Sequence, residues 1–197
     1  MDTYFTVGRE AEVEIKIERS RFIGRVRPVE NEEQAKAFIA EVSQVHRQAT
    51  HNAWAYRVDP ERDIRFASDA GEPSGTAGEP ILRAILSRRL TQTAVVVTRY
   101  FGGKKLGVRG LIDAYGSTAG AALDAAGQVE KVITRKLTVT VAYPHLDRCL
   151  YWLNRLGGTL IASSYTETAR LILALPRSQV AAFKAEVKDY AEITSGD

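Results

Sequence analysis

Charged residues alternate with Val13, Ile15 and Ile17 from Glu12 to Glu18, a period of two that predicts a strand with one buried face. Past Ser20 the phase changes. Phe22 and Val26 share one face, while Arg19, Arg21, Arg25 and Arg27 share the other with Ile23, so a bend or hairpin is expected near residues 18–20. Four arginines on one face could grip a phosphate backbone; cross-strand pairing with Glu12, Glu14 and Glu18 is favoured because those carboxylates are adjacent. Asn31 and Gln34 read as a capping box. Ala35, Phe38, Ile39, Val42 and Val45 follow at helical spacing to about Arg47, with His46 as a charge at the helix C-terminus. Alternation then predicts a strand from His51 to Val58, a turn at 60–63 and a strand over 64–67.

Ile81, Leu82, Ile85 and Leu86 predict a helix opening at Pro80, and the unbroken apolar run Ala94 to Val97 predicts a strand buried on both faces. A helix is expected over 108–126. Gly110, Gly116 and Gly120 cost it propensity, which close packing of the sheet or another helix would offset. Small-residue helix gives way to a new strand at 133–136, so the domains are placed at 1–134 and 135–197. The second reads as a strand over 137–141, a helix over 145–156 ended by Gly157 and Gly158, strands near 160–165 and 169–175, a helix over 177–189 and a strand over 190–194. This βαββαβ order is that of a ferredoxin-like unit, and the chain as a whole is of the α+β class.

Composition narrows the function. The 197 residues are 45% hydrophobic and 26% charged, ordinary for a globular chain and against disorder. No apolar run could span a bilayer, and the N-terminus has no apolar signal core, so a cytoplasmic protein without membrane association is expected. The single cysteine, Cys149, sits in a helical pattern and reads as a buried small hydrophobe. The three histidines show no metal spacing; neither metal nor cofactor is expected. A net charge of +3 is too weak for a dedicated DNA binder but compatible with a local patch that docks on RNA or a ribosome.

Chemical signal concentrates in two glycine-rich turns, separated by one helix and one strand and so expected at one end of a sheet. In the first, residues 68–80 read SDAGEPSGTAGEP. Ser74, Thr76 and the amide of Gly75 could bind an anion at the following helix N-terminus; the plainer reading is a tight turn whose hydroxyls cap that helix. The second is Arg99, Tyr100, Phe101, Gly102, Gly103, Lys104 and Lys105, with Arg109 beyond it. Between Ile81 and Ile112 lie seven cations and no carboxylate. Aromatics beside Arg and Lys in a glycine turn suit base stacking combined with phosphate contact; a solvated loop with one aromatic plugged into the core is equally open. Neither turn has the frame of a Walker loop or of GxGxxG.

The stretches SRFIG at 20–24, THNAWAY at 50–56, SDAGEPSGTAGEPIL at 68–82 and VVVTRYFGGKKLG at 95–107 together resemble the IMPACT family, also called the YigZ family. The resemblance spans nearly the whole chain. It implies a first domain similar to the second domain of ribosomal small-subunit protein five and to domain IV of elongation factor G, and a ferredoxin-like second domain similar to domain V of that factor. It also implies eukaryotic relatives that regulate translation through an additional domain, and no specific activity for bacterial members. Arg21, Phe22, His51, Asp69 and Glu72 fall in its motifs without an assigned role. His51 reads as a hydrogen-bonded structural histidine rather than a general base.

Three function classes follow. The first is a non-catalytic nucleic-acid- or ribosome-associated factor, monomeric or weakly oligomeric, using the basic glycine turn and possessing no catalytic residues. The second is an enzyme acting on a phosphorylated small molecule, with Asp69 or Glu72 as acid or base and Ser74, Thr76 or Arg99 as the anion clamp. The third is a module that binds a protein partner through the same turns.

Overall fold

The computed structural model describes residues 2–195, which form two compact units, one of Tyr4–Lys131 and one of Val132 onward together with residues 2–3. In the first, β2 (Ala11–Ile17), β3 (Ser20–Pro28), β4 (His51–Val58), β5 (Ile64–Ser68) and β6 (Thr93–Tyr100) make an antiparallel sheet in the order β2-β3-β6-β4-β5. One face carries α1 (Glu32–Val45), whose Phe38, Ile39 and Val42 cluster with Tyr56, Ala94 and Val96. The other carries α2 (Gly78–Ser87) and α3 (Gly107–Ala126), whose Ile81, Ile85, Leu111 and Tyr115 cluster with Phe22, Val95 and Val97. Central β6 thus feeds alternate side chains to two cores, which is why its run is apolar without alternation. Two strands outside the expected set, β1 (Thr3–Val7) and β7 (Gln128–Val132), pair as a separate ribbon. All five residues of β7 are exposed, so no buried face marks it in the sequence.

On the β2–β3 hairpin Arg21 and Arg25 meet Glu14 and Glu12 across the strands, as favoured, whereas Arg27 takes other carboxylates and Glu18 turns to Lys104. Arg27 pairs with Glu10 at 2.8 Å and with Glu41 of α1 at 2.7 Å, Arg21 with Glu14 at 3.6 Å, and Arg25 with Glu12. Asn31 caps α1 by accepting from the Gln34 amide at 2.9 Å. His46 departs from the expected charged cap. Its Nδ1 lies 2.9 Å from the Tyr100 hydroxyl, and burial holds the ring's pKa below the usual histidine value, with the charge of Arg25 acting the same way, so it sits there neutral. Two of the three glycines expected to pack closely face α2: a Cβ on Gly116 would meet Pro80 at 3.7 Å, and Gly120 lies beneath the Arg88 guanidinium, which reaches Asp124 through bonds of 2.7 and 2.9 Å; Gly110 instead lies against Leu106 at the start of α3.

The second unit contains β8 (Thr134–Val141), α4 (Leu146–Arg155), β9 (Thr159–Tyr165), β10 (Ala169–Pro176), α5 (Val180–Val187) and β11 (Ala191–Ser195). Its antiparallel sheet has the order β11-β8-β10-β9, so the βαββαβ connectivity is the one expected. Leu171, Leu173 and Leu175 of β10 cluster with Leu137, Val139 and Val141 and with Leu153 and Phe183 of the helices. Cys149 belongs to this core, and burial pushes its thiol pKa up to about 11, the behaviour of a packing residue and not of a nucleophile.

Candidate functional site: a cavity between two glycine-rich turns

The sheet register brings the two turns together. His51 at the start of β4 stands opposite Arg99 near the end of β6, and Trp54 stands opposite Ser68 at the end of β5. Residues 69–78 and 101–107 therefore leave the same end of the sheet, as expected from their spacing. A cavity of about 460 Å³ lies between them, with Glu72 and Pro73 from the first turn and Phe101, Lys105 and Leu106 from the second.

The first turn is closed by its own carboxylate. Asp69 Oδ1 accepts from the amides of Ala77 at 3.0 Å and Gly78 at 2.8 Å, and Oδ2 accepts from the amide of Gly75 at 2.8 Å. Burial acts to raise the Asp69 pKa, but the three amides outweigh it and hold the carboxyl below the usual carboxylate range. The anion expected at this helix N-terminus is thus internal. Gly75 spends its amide on Asp69, the Thr76 hydroxyl donates to the Pro73 carbonyl at 2.6 Å in a buried position, and Ser74 alone of the three is an exposed side chain. The cap expected from a turn hydroxyl is an aspartate instead, whose side chain spans the loop to the amides of residues 75, 77 and 78.

Beneath the cavity lies a polar cluster in which Glu72 and Arg99 are 3% and 6% exposed and paired at 2.8 Å. Glu72 Oε1 accepts from Arg99 Nη1 and from the Tyr115 hydroxyl, both at 2.8 Å. Burial and the bond to Glu72 raise the pKa of Tyr115, so it remains a donor at every physiological pH. Arg99 also donates to Ser20 Oγ at 3.4 Å and lies over the rings of Phe101 and Phe22, 5.2 and 5.6 Å from their centroids. Phe22 packs edge-on against Tyr115, giving this motif residue a structural role. His51 donates through Nδ1 to the Ala70 carbonyl at 2.9 Å, in keeping with a hydrogen-bonded structural histidine; its Nε2 faces Glu72 Oε2 at 3.7 Å.

The second turn is more open, though less positive than its sequence. Carboxylates from outside reach into the acid-free segment: Glu79 meets Arg83 at 3.3 Å one turn away in α2, and from farther along the chain Asp124 meets Arg88 at 2.7 Å, Glu72 neutralises Arg99, and Glu18 of the β2–β3 hairpin pairs with Lys104. Among the described residues Arg89, Lys105 and Arg109 have no such partner, and all three are exposed. Phe101 is 46% exposed at the cavity. Tyr100 is not beside it. Its hydroxyl meets His46 and Arg21 covers its ring at 4.7 Å, so the two aromatics face opposite sides of the sheet and only Phe101 is available. Gly102 presses on the β2–β3 turn, where an added Cβ would lie 1.8 Å from the Arg19 carbonyl oxygen, while Gly103 holds φ of +87°. The structure therefore gathers Arg99, Phe101, Lys105, His51 and Glu72 at one cavity and leaves Arg21, Tyr100 and Lys104 outside its lining.

Tyr115 and Ser20 were not expected here. Tyr115 was legible only as a packed helix position, and Ser20 lay in a motif with no chemical cue of its own. Among the described residues no group of three or more His, Cys, Asp or Glu side chains is placed to hold a metal ion, and no helix is long and apolar enough to cross a membrane.

A two-unit α+β chain with paired glycine turns around a buried Glu–Arg–Tyr cluster is a recognisable class. Residues 18–123 match the Impact N-terminal domain, and residues 139–196 match a domain of unknown function, DUF1949. The chain belongs to the IMPACT family. It is 45% identical over 148 residues to the IMPACT family member YvyE of Bacillus subtilis, covering 75% of this chain and 68% of that one. To YigZ of Escherichia coli it is 34% identical over 194 residues, covering 97% and 95%. A crystal structure of a hypothetical protein superposes with a TM-score of 0.74 at 30% identity, covering 100% of this chain and 98% of the other.

Proposed function

We propose that this protein is a non-catalytic, cytoplasmic factor that binds single-stranded RNA, free or within the ribosome, through the second glycine turn, and that it acts in the regulation of translation. The observation that carries this reading is the pairing of an exposed Phe101 with the unpartnered Lys105 in the lining of a cavity whose one acid, Glu72, is already paired with Arg99; the exposed Arg109 follows four residues further along the chain. An aromatic face beside mobile cations suits stacking on a base while its phosphate is held. The geometry weighs against the enzyme reading. Asp69 is tied to three amides, Arg99 to Glu72 and Thr76 to the Pro73 carbonyl, so of the acids and clamps that reading named only Glu72 Oε2 and the exposed Ser74 keep free hydrogen-bonding capacity.

The test is a salt titration of labelled single-stranded RNA binding. Lys105→Ala should weaken affinity and flatten the dependence of log K on log salt by about 0.7, one phosphate contact on a single strand. Lys104→Ala should change the slope less, because Glu18 already pairs with that lysine. Phe101→Ala should cost about 1 to 3 kcal/mol of binding with the slope retained. Undetectable binding of the wild type at low salt, or an unchanged slope for Lys105→Ala, would overturn the reading.

A further inference from the structure

One carboxylate oxygen in the cavity wall receives no hydrogen bond from the protein. Glu72 Oε1 accepts two bonds, from Arg99 and Tyr115, whereas Oε2 has only His51 Nε2 near it, at 3.7 Å and beyond hydrogen-bond length. A carbonyl can only accept, so the 2.9 Å contact with Ala70 puts a hydrogen on His51 Nδ1, and the tautomer with its one ring hydrogen there presents Nε2 as an acceptor. Two acceptors thus face each other across 3.7 Å, one of them on a carboxylate that is 3% exposed. A nitrogen bearing two hydrogens can lie within reach of both at once.

Charge selects the kind of donor. Arg99 cancels Glu72, and Lys105 adds a positive charge to the same lining, so a cationic amine is repelled and a neutral donor on an otherwise anionic molecule is favoured. Apolar walls from Pro73, Leu106, Val108 and Leu111 suit a flat ring, and about 460 Å³ accommodates one. The first amides of α3, a helix whose N-cap Leu106 supplies no side-chain bond, begin at Gly107 in the same lining and add to the pull of Lys105 on a phosphate.

We propose that the cavity receives one unstacked nucleobase carrying an exocyclic amino group, with the amine between Glu72 Oε2 and His51 Nε2 and the ring against Phe101. The inference rests on the RNA-binding reading and names what that site selects: adenine, cytosine or guanine over uracil and hypoxanthine, which have no exocyclic amine. His51 and Glu72 are then specificity-determining residues, and Lys105 is not.

The experiment measures binding of the full chain, at one low salt concentration, to labelled oligomers of adenosine, of uridine and of purine riboside, the last differing from adenosine only by the missing amine. The adenosine oligomer should bind about tenfold more tightly than the purine oligomer, the size expected for one well-placed base contact. His51→Ala should bring that ratio close to one while leaving the salt slope of the adenosine oligomer unchanged. The wild-type comparison needs no variant, so a His51 substitution that disturbs folding does not decide the result. Equal affinity for all three oligomers overturns the inference and leaves RNA binding standing; absence of binding to any of them overturns both.

Discussion

The two glycine-rich turns are built from similar residues and end as opposites. Residues 69–78 are self-contained: the helix end that could hold an external anion holds Asp69, and the acid that follows, Glu72, is turned inward onto Arg99 and Tyr115. Residues 101–107 direct Phe101 and Lys105 outward, and α3 begins behind them with no side-chain cap. A glycine turn at a helix start is therefore not in itself a binding site. Whether a nearby side chain already satisfies its amides and charges decides the matter.

Removing the internal anion should break this contrast most strongly. Asp69→Ala strands the buried amides of Ala77 and Gly78 as well as that of Gly75, and should cost about 3 kcal/mol of stability. Added sulfate or phosphate should restore part of the loss by taking the vacated place, and a melting temperature unchanged by the substitution would show that the carboxylate does not hold the turn. The same group sets an acid limit. Its folded pKa is depressed, so its contribution is complete above the ordinary aspartate value of about 3.9 and fades as pH falls through the lower folded value. Asp69→Asn should flatten that part of the acid unfolding curve.

The glycine pair of the second turn should separate next. Gly102→Ala puts a Cβ against the backbone of Arg19 and should cost about 2 to 3 kcal/mol. At Gly103 an added Cβ meets nothing within 4 Å, so Gly103→Ala is resisted by its left-handed φ, by about 1 to 2 kcal/mol. Denaturant midpoints for the two variants check the order, and a milder effect at Gly102 would contradict the contact with the hairpin. The smallest effect is expected at Lys104→Ala, whose exposed pair with Glu18 should leave the melting temperature within error of the wild type.

Much of this architecture is written in local pattern. The doubly buried β6 follows from the run Ala94 to Val97, α1 from its Asn31 cap and its period, and the βαββαβ unit from alternation in β8 and β10. In the ribbon of β1 and β7, the second strand escaped because an exposed strand has no buried face to mark it, and β1 because its two buried residues, Thr6 and Val7, are adjacent and do not alternate. At the site, the meeting of the two turns was legible from their spacing, but the partners of their charges were not. Glu18 and Lys104 are 86 residues apart, Arg99 and Ser20 are 79 apart, and Tyr115 and Glu72 are 43 apart.

What the amino-acid order determined by itself was the elements, their faces, and a basic segment between Ile81 and Ile112 that contains no acid. Tertiary structure alone decided which of those cations keep their charge for a ligand. Packing brings Glu72, Asp124 and Glu18 from other elements onto Arg99, Arg88 and Lys104, and leaves Arg89, Lys105 and Arg109 unpaired among the described residues. The physical reason is range. Hydrophobic period and caps act over one or two turns of chain and can be read along it, whereas a charge is neutralised by whatever the fold places within a few ångströms, at any distance in sequence.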